Sequence, residues 1–555
     1  MAATLSKCPA LPLRSQKIAT NYSSQAYYPQ SIQVVQQLGS LTSVAAEDYS
    51  AIKHMENIIQ VKSTLVQIDD PLESMLTVDY LQKLGIDYHF NEEIESMLRS
   101  LYEKISNTKG EQSINDLFKV TLSFRLLRQA GYPISSDMLT KFTDKKGRFK
   151  STLRRDVKGL LSLYEASYLN TGENVLDKAN EFSTKYLTSC MEYLEPDVAG
   201  LVRHTIKNPS HTTISRYNAR HYLEDIKKYE INGALEELAR FDFNLVQSLH
   251  QKEHKEVLSW WKSTGLAEDL KLARNQPLKW YLWPMTMFPD PQFSKCRIEM
   301  TKVISFIYII DDIFDIYGSP DELNLFTDAI RKWDLSAVET LPTYMQACYA
   351  ALHNVTNEIA QTIAEEQGWN PINSLTKSWR RLCDAFMLES KWLQSKQTPK
   401  AGEYLRNAMI TSGVHVTLMH AFFLLGQGIT EKNVNFLESN PAIISCPATI
   451  LRLWDDLGSA KDENQDGFDG SYVDCYMKEN PQYSIENVRD HVKQIILTTW
   501  HDLNKECFSQ EQFAPNLVTG SLNISRMVEV MYLYDDNQNL PILDDYINVL
   551  LFKSL

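Results

Sequence analysis

Three aspartates fall within the segment Asp311-Asp312-Ile313-Phe314-Asp315, directly after the almost wholly apolar run Val303–Ile310. On a helix Asp311 and Asp315 stand at i, i+4 and share one face. Carboxylates at the end of a buried helix are costly unless a positive group binds there. Gly318 and Pro320 end the helix about one turn later, which places the acids at a rim. Oxygen-only donors on one face suit Mg²⁺, which keeps several waters and bridges phosphates. The alternative is a solvated helix end.

A second acidic stretch, Leu453 to Glu463, repeats the pattern. Asp455, Ser459 and Glu463 are spaced i, i+4, i+8, again one face of oxygen ligands. Arg452 lies one turn before Asp456. Two such helix ends facing each other across an apolar cavity hold a cluster of Mg²⁺ around a diphosphate. Arg274, in Arg274-Asn275-Gln276, offers a planar fork that matches phosphate oxygens. Trp280, Tyr281 and Trp283 follow it, and Tyr308, Trp454, Tyr532 and Tyr534 lie near the acidic segments. Aromatic faces stabilise a cation, although core packing accounts for most such residues. Thr411, Ser412 and Gly413 mark a kink inside a helical stretch. His250 and His254 form an i, i+4 pair without an accompanying acid pattern and read as core.

These groups need a scaffold. Gly and Pro number 20 each in 555 residues, too few for a turn-dense all-β fold. Stripes such as Leu153, Val157, Leu160, Leu161 and Tyr164 repeat at helical spacing. No segment of useful length alternates like a strand, so an all-α chain is expected. No apolar run reaches the roughly 18 residues of a membrane span; the longest are Val303–Ile310 and Val416–Leu425. The net charge of −14 excludes sequence-independent nucleic-acid binding, and an anion then needs a local device that reverses the sign. Eight cysteines without a CxxC exclude a disulfide scaffold and fit a reducing compartment. No GxGxxG after a strand, P-loop, HExxH or GxSxG is present.

Residues 1–46 carry Lys7, Arg14 and Lys17 and no acid. They read as a flexible N-terminal segment with the composition of a transit peptide, or as an ordinary frayed terminus. Plastid is the expected location if the segment is a transit peptide, and the cytoplasm otherwise. Residues 47–218 form an N-terminal helical domain without a catalytic cluster, and 219–555 a C-terminal metal-binding domain. The boundary is placed near Ser215–Tyr222.

Taken together the motifs resemble a plant terpene synthase of the class I type. Asp311–Asp315 matches that family's DDxxD, and Asp455, Ser459 and Glu463 match its (N/D)Dxx(S/T)xxxE. Arg274 and Arg452 match its diphosphate-contacting arginines, and Trp283 its active-site tryptophan. The resemblance runs from about residue 70, through 81–90 and 160–167, to the C-terminus. It implies an all-α pair: a vestigial N-terminal α-barrel and a C-terminal class I helical bundle. It also implies three Mg²⁺ ions, with Mn²⁺ as a substitute, held by Asp311, Asp315, Asp455, Ser459 and Glu463. Asp312 is assigned a supporting part. The substrate is geranyl or farnesyl diphosphate, the co-reactant is water, a lid forms from 534–545, and a monomer is expected.

Two departures point to a branch. The family's RxR reads Arg274-Asn275-Gln276, which bears on how firmly the released diphosphate is held. The tandem-arginine motif followed by tryptophan is absent, since the first tryptophan is Trp260. No DxDD is present, so ionisation starts the chemistry. Both departures resemble synthases of acyclic tertiary alcohols, linalool and nerolidol. A synthase of olefins or cyclic products, a chain-elongating prenyltransferase and a non-catalytic helical scaffold are the alternatives.

Overall fold

The computed structural model describes residues 44–107, 116–224, 233–271, 273–459, 471–509, 512–534 and 540–555. Helices follow one another throughout, and no β-strand occurs among the described residues. Of the N-terminal segment 1–46, residues 1–43 lie outside this set, while 44–46 already open the helix Val44–Leu65. The stripe at Leu153–Tyr164 is divided: Asp156 accepts a hydrogen bond from the Gly159 N–H at 2.8 Å and starts a new helix, Val157–Ser167. A carboxylate at that position satisfies one of the amides that a helix start leaves unpaired.

Three small apolar cores, around Phe124, Leu126 and Leu160, lie within the N-terminal half. The large core takes Val61, Leu81 and Phe90 together with residues from Ile214 to Leu551. Residue 218 sits inside the packed helix Ser215–Glu224. From that helix Arg220 donates to the carbonyls of Lys553 and Ser554 at 3.1 and 2.8 Å. His211 and Asn504 pair at 2.7 Å, tying the two halves again.

The second half of the helix Ser294–Asp312, from Val303 to Ile310, is almost wholly apolar, and such a stretch must be buried. It does not stop at the acidic segment. It widens into a π-turn, Ile313–Tyr317, so Asp315 lies in the turn that follows the α-helix. Turns of this kind recur at functional sites. Gly318 then closes the element, its N–H donating to the Ile313 carbonyl at 2.9 Å. Ser319 donates to Glu322 and opens the next helix.

The helices Ala401–Thr411 and Val414–Leu425 form one apolar stretch long enough, by length and composition, to cross a membrane. This corrects the expectation that no stretch reaches that length: the polar residues inside it interrupt the apolar run without lowering its mean hydropathy enough. It is a core pair, with 72% of the window buried inside the protein. Gly413 breaks it with a left-handed φ of 74°. A Cβ there would stand 2.5 Å from Ile307 Cγ2, on the helix that carries Asp311. Gly413→Ala is therefore expected to destabilise the protein by about 2–4 kcal/mol, adding left-handed strain to overpacking. Chemical denaturation checks this, and an unchanged midpoint would discount the contact.

Candidate active site

Consecutive residues on a helix point about 100° apart, so the two aspartates of each acidic pair cannot both face one cavity. The structure divides them. Asp311 is 29% exposed, whereas Asp312 is fully buried. Asp455 is 21% exposed, whereas Asp456 is fully buried. The exposed member of each pair is available to a ligand, and the buried member must find partners in the protein.

Asp312 finds Arg274. The Arg274 backbone N–H donates to Asp312 Oδ2 at 2.7 Å and its Nε to Oδ1 at 2.8 Å. Its Nη2 turns to Asp311. Its guanidinium lies over the Tyr308 ring, 4.9 Å from the centroid. Burial pushes the Asp312 carboxyl up to about 6, against the opposing pull of Arg274. Asp312 thus positions Arg274.

Asp456 finds partners the sequence did not disclose. The Tyr404 hydroxyl donates to Oδ1 at 3.0 Å and the Tyr472 N–H to Oδ2 at 2.9 Å. Arg452, one turn before Asp456, donates to Asp455 Oδ2 at 2.9 Å. It also reaches Thr411, whose hydroxyl donates to Glu389 at 2.9 Å. Ser459 ends the helix Ala442–Ser459; its side chain, like all of Glu463, lies outside the described residues. So do residues 535–539 of the expected lid.

Aromatic residues join the two motifs. Trp283 Nε1 donates to the Tyr308 hydroxyl at 3.1 Å. Burial raises the Tyr308 hydroxyl pKa, Arg274 opposes it, and Asp455 and Tyr532 both act on the same hydroxyl. Tyr532 is in turn within the field of Asp455 and Arg452. Tyr534 lies against Gly458, where a Cβ would come within 3.0 Å of its ring. Trp280 and Tyr281 belong to the core instead: Trp280 packs on Trp261, and Tyr281 donates to Glu253 at 2.6 Å. His250 and His254 pack against Tyr281, and burial holds both neutral.

One cation escaped the sequence reading. Lys279 stands in the first turn of the helix Pro277–Met287 and responds to the charges of both Arg274 and Asp455. A single lysine at a helix start reads as surface, so nothing in its local sequence singled it out.

The donor set fits hard divalent cations. Asp311 and Asp455 present partly exposed carboxylates on two helices, and Asp315 follows on the adjoining π-turn. Around them Arg274, Arg452 and Lys279 supply positive charge, which in an acidic protein makes the site suitable for an anion.

Known proteins resemble this chain in sequence and in fold. The terpene synthase family metal-binding domain matches residues 262–502, and the terpene synthase N-terminal domain matches 27–206. An (E)-nerolidol synthase of Cannabis sativa is 47% identical over 87% of this chain and 89% of its own. The S-(+)-linalool synthase of Arabidopsis thaliana is 42% identical over 90% of this chain and 88% of its own. Isoprene synthase from grey poplar, solved with three Mg²⁺ ions and dimethylallyl-S-thiolodiphosphate, superposes with a TM-score of 0.85. It is 33% identical and covers 92% of this chain and 98% of its own.

Proposed function

The chain belongs to the plant terpene synthase family, and from that premise we propose that it converts geranyl or farnesyl diphosphate, with water, to linalool or nerolidol and diphosphate. The observation that carries the reading is the meeting of Asp311 and Arg274 with Asp455 and Arg452 around Trp283, Tyr308 and Tyr532.

Asp311, Asp315, Asp455, Ser459 and Glu463 would hold three Mg²⁺, or Mn²⁺ in their place. The bound ions supply the Lewis acidity that makes diphosphate a leaving group. Arg274 and Arg452 bind its oxygens. Asp312 keeps the Arg274 fork oriented, which is preorganisation of the kind that lowers an ionisation barrier. Trp283 and Tyr308 present aromatic faces to the allylic cation. Their mutual hydrogen bond fixes the rings so that the cation does not have to order them. Bulk water has to be excluded before the C–O bond breaks. Water adds at C3 and passes its proton to the departing diphosphate, leaving a tertiary alcohol and a terminal vinyl group. The product is made in the plastid if the N-terminal segment is a transit peptide, and in the cytoplasm otherwise.

The alcohol reading rests on Gln276 and on the names of the relatives. The Gln276 side-chain oxygen is buried without a hydrogen-bond partner among the described residues. Separate incubations with geranyl and farnesyl diphosphate plus Mg²⁺, analysed by chiral gas chromatography–mass spectrometry, are expected to give linalool and nerolidol. Cyclic or olefinic products would keep the family and overturn the alcohol. Gln276→Arg is expected to move the alcohol-to-olefin ratio severalfold, and an unchanged profile would remove position 276 from the argument.

A further inference from the structure

We propose that Lys279 is a further diphosphate-binding residue, taking the leaving group from between the two acidic motifs and setting how the cation is quenched. The inference rests on the function proposed above.

Lys279 and Trp283 are spaced i, i+4 on the helix Pro277–Met287 and share one face. That face looks between the motifs, because Trp283 reaches Tyr308 and Tyr308 feels both Arg274 and Asp455. Lys279 stands one turn nearer the Arg274 end. Its charge is repelled by Arg274 and attracted by Asp455. It is only partly exposed.

Arg274 and Arg452 each hold a carboxylate. Lys279 makes no hydrogen bond or ion pair among the described residues. Lys83, by contrast, is paired with Asp79 at 2.8 Å. An ammonium drawn away from water beside a like charge is costly, and burial with Arg274 brings its pKa down to about 8. A multiply charged anion in this space offsets that cost. The same chain carries Gln276, a neutral group, three residues earlier.

When the C1–O bond breaks, its electron pair stays on the diphosphate oxygen. Lys279 N–H groups meet that new charge. Diphosphate hydrogen-bonded to an ammonium is a weaker base toward hydrogens next to the cation. Deprotonation to an olefin is then disfavoured against addition of water.

The test is calorimetric titration of inorganic diphosphate into the full chain at fixed Mg²⁺, for the wild type, Lys279→Met and Lys279→Arg. Lys279→Met is expected to weaken diphosphate by about 10- to 100-fold, raise KM for the prenyl diphosphate and raise the olefin fraction. Lys279→Arg is expected to restore most of the affinity. The melting temperature of Lys279→Met should not fall, since no protein partner is lost; a fall without loss of diphosphate affinity would show a merely structural lysine. Equal affinity in Lys279→Met and wild type overturns this inference alone. Absence of diphosphate binding in the wild type overturns it together with the proposed function.

Discussion

Asp311→Ala is expected to lower turnover by about a thousandfold or more, equivalent to about 4 kcal/mol of transition-state stabilisation, with the helical circular-dichroism spectrum intact. The two halves of the expectation have separate causes. Asp311 offers a partly exposed carboxylate, and its Oδ2 is held by Arg274. Oδ1 takes no hydrogen bond from a described residue and remains for a metal. In the proposed function, removing it deletes a metal ligand. It deletes little structure, because Arg274 keeps both of its bonds to Asp312. A partly exposed ion pair contributes only about 0–1 kcal/mol to stability. Product formation from either prenyl diphosphate, measured with thermal unfolding, checks both halves. Full activity would sink the metal assignment, and a collapsed fold would show that the loss of turnover had a different origin.

Arg274→Met is expected to damage stability and turnover together. Asp312 is fully buried, and among the described residues its hydrogen bonds come from the Arg274 backbone N–H and Nε. Breaking a buried pair by removing one member costs about 3–5 kcal/mol. The deficit should depend on pH, with a sign that follows from proton binding. Burial already raises the Asp312 pKa in the folded protein from 3.8 to about 6. An acid whose folded pKa is raised binds more protons when folded, so its contribution to stability falls as pH rises above 3.8. Without Arg274 the folded pKa rises further, and the fall continues above pH 6. The variant's deficit should thus be smallest near pH 5 and grow progressively toward pH 8. Melting temperatures of both proteins across that range measure the difference, in which unrelated titrations cancel. A gap that narrows with rising pH would contradict the buried pair.

The ligand-bearing half of this site was legible because its signal is local. Asp311 and Asp315, and Asp455 one turn before Ser459, announce themselves by type and spacing next to apolar runs. What was hidden depends on the third dimension. The sequence places Arg452 one turn before Asp456 and leaves their partners open; in the structure Asp456 turns inward to Tyr404 and Tyr472, and Arg452 donates to Asp455. Tyr404 lies on a separate helix, and no periodicity connects it to Asp456. Lys279 becomes noticeable only once two distant segments converge on it. The all-α architecture was legible from helical stripes. The break at Asp156 required the capping bond to be seen, since the apolar spacing runs straight across it.

Gly413 and Ile307 constrain the order in which this lineage can change. A methyl group at 413 and the branched side chain at 307 compete for one volume. A change at 413 made first meets the full clash. The same change made after Ile307 has shortened meets only the left-handed backbone. The two positions are therefore epistatic: their effects will not add in a double-mutant cycle, and evolutionary paths that alter the break between these helices run through position 307. Ile307 lies one helical turn before Asp311, so remodelling this helix contact and preserving the setting of Asp311 are not independent choices.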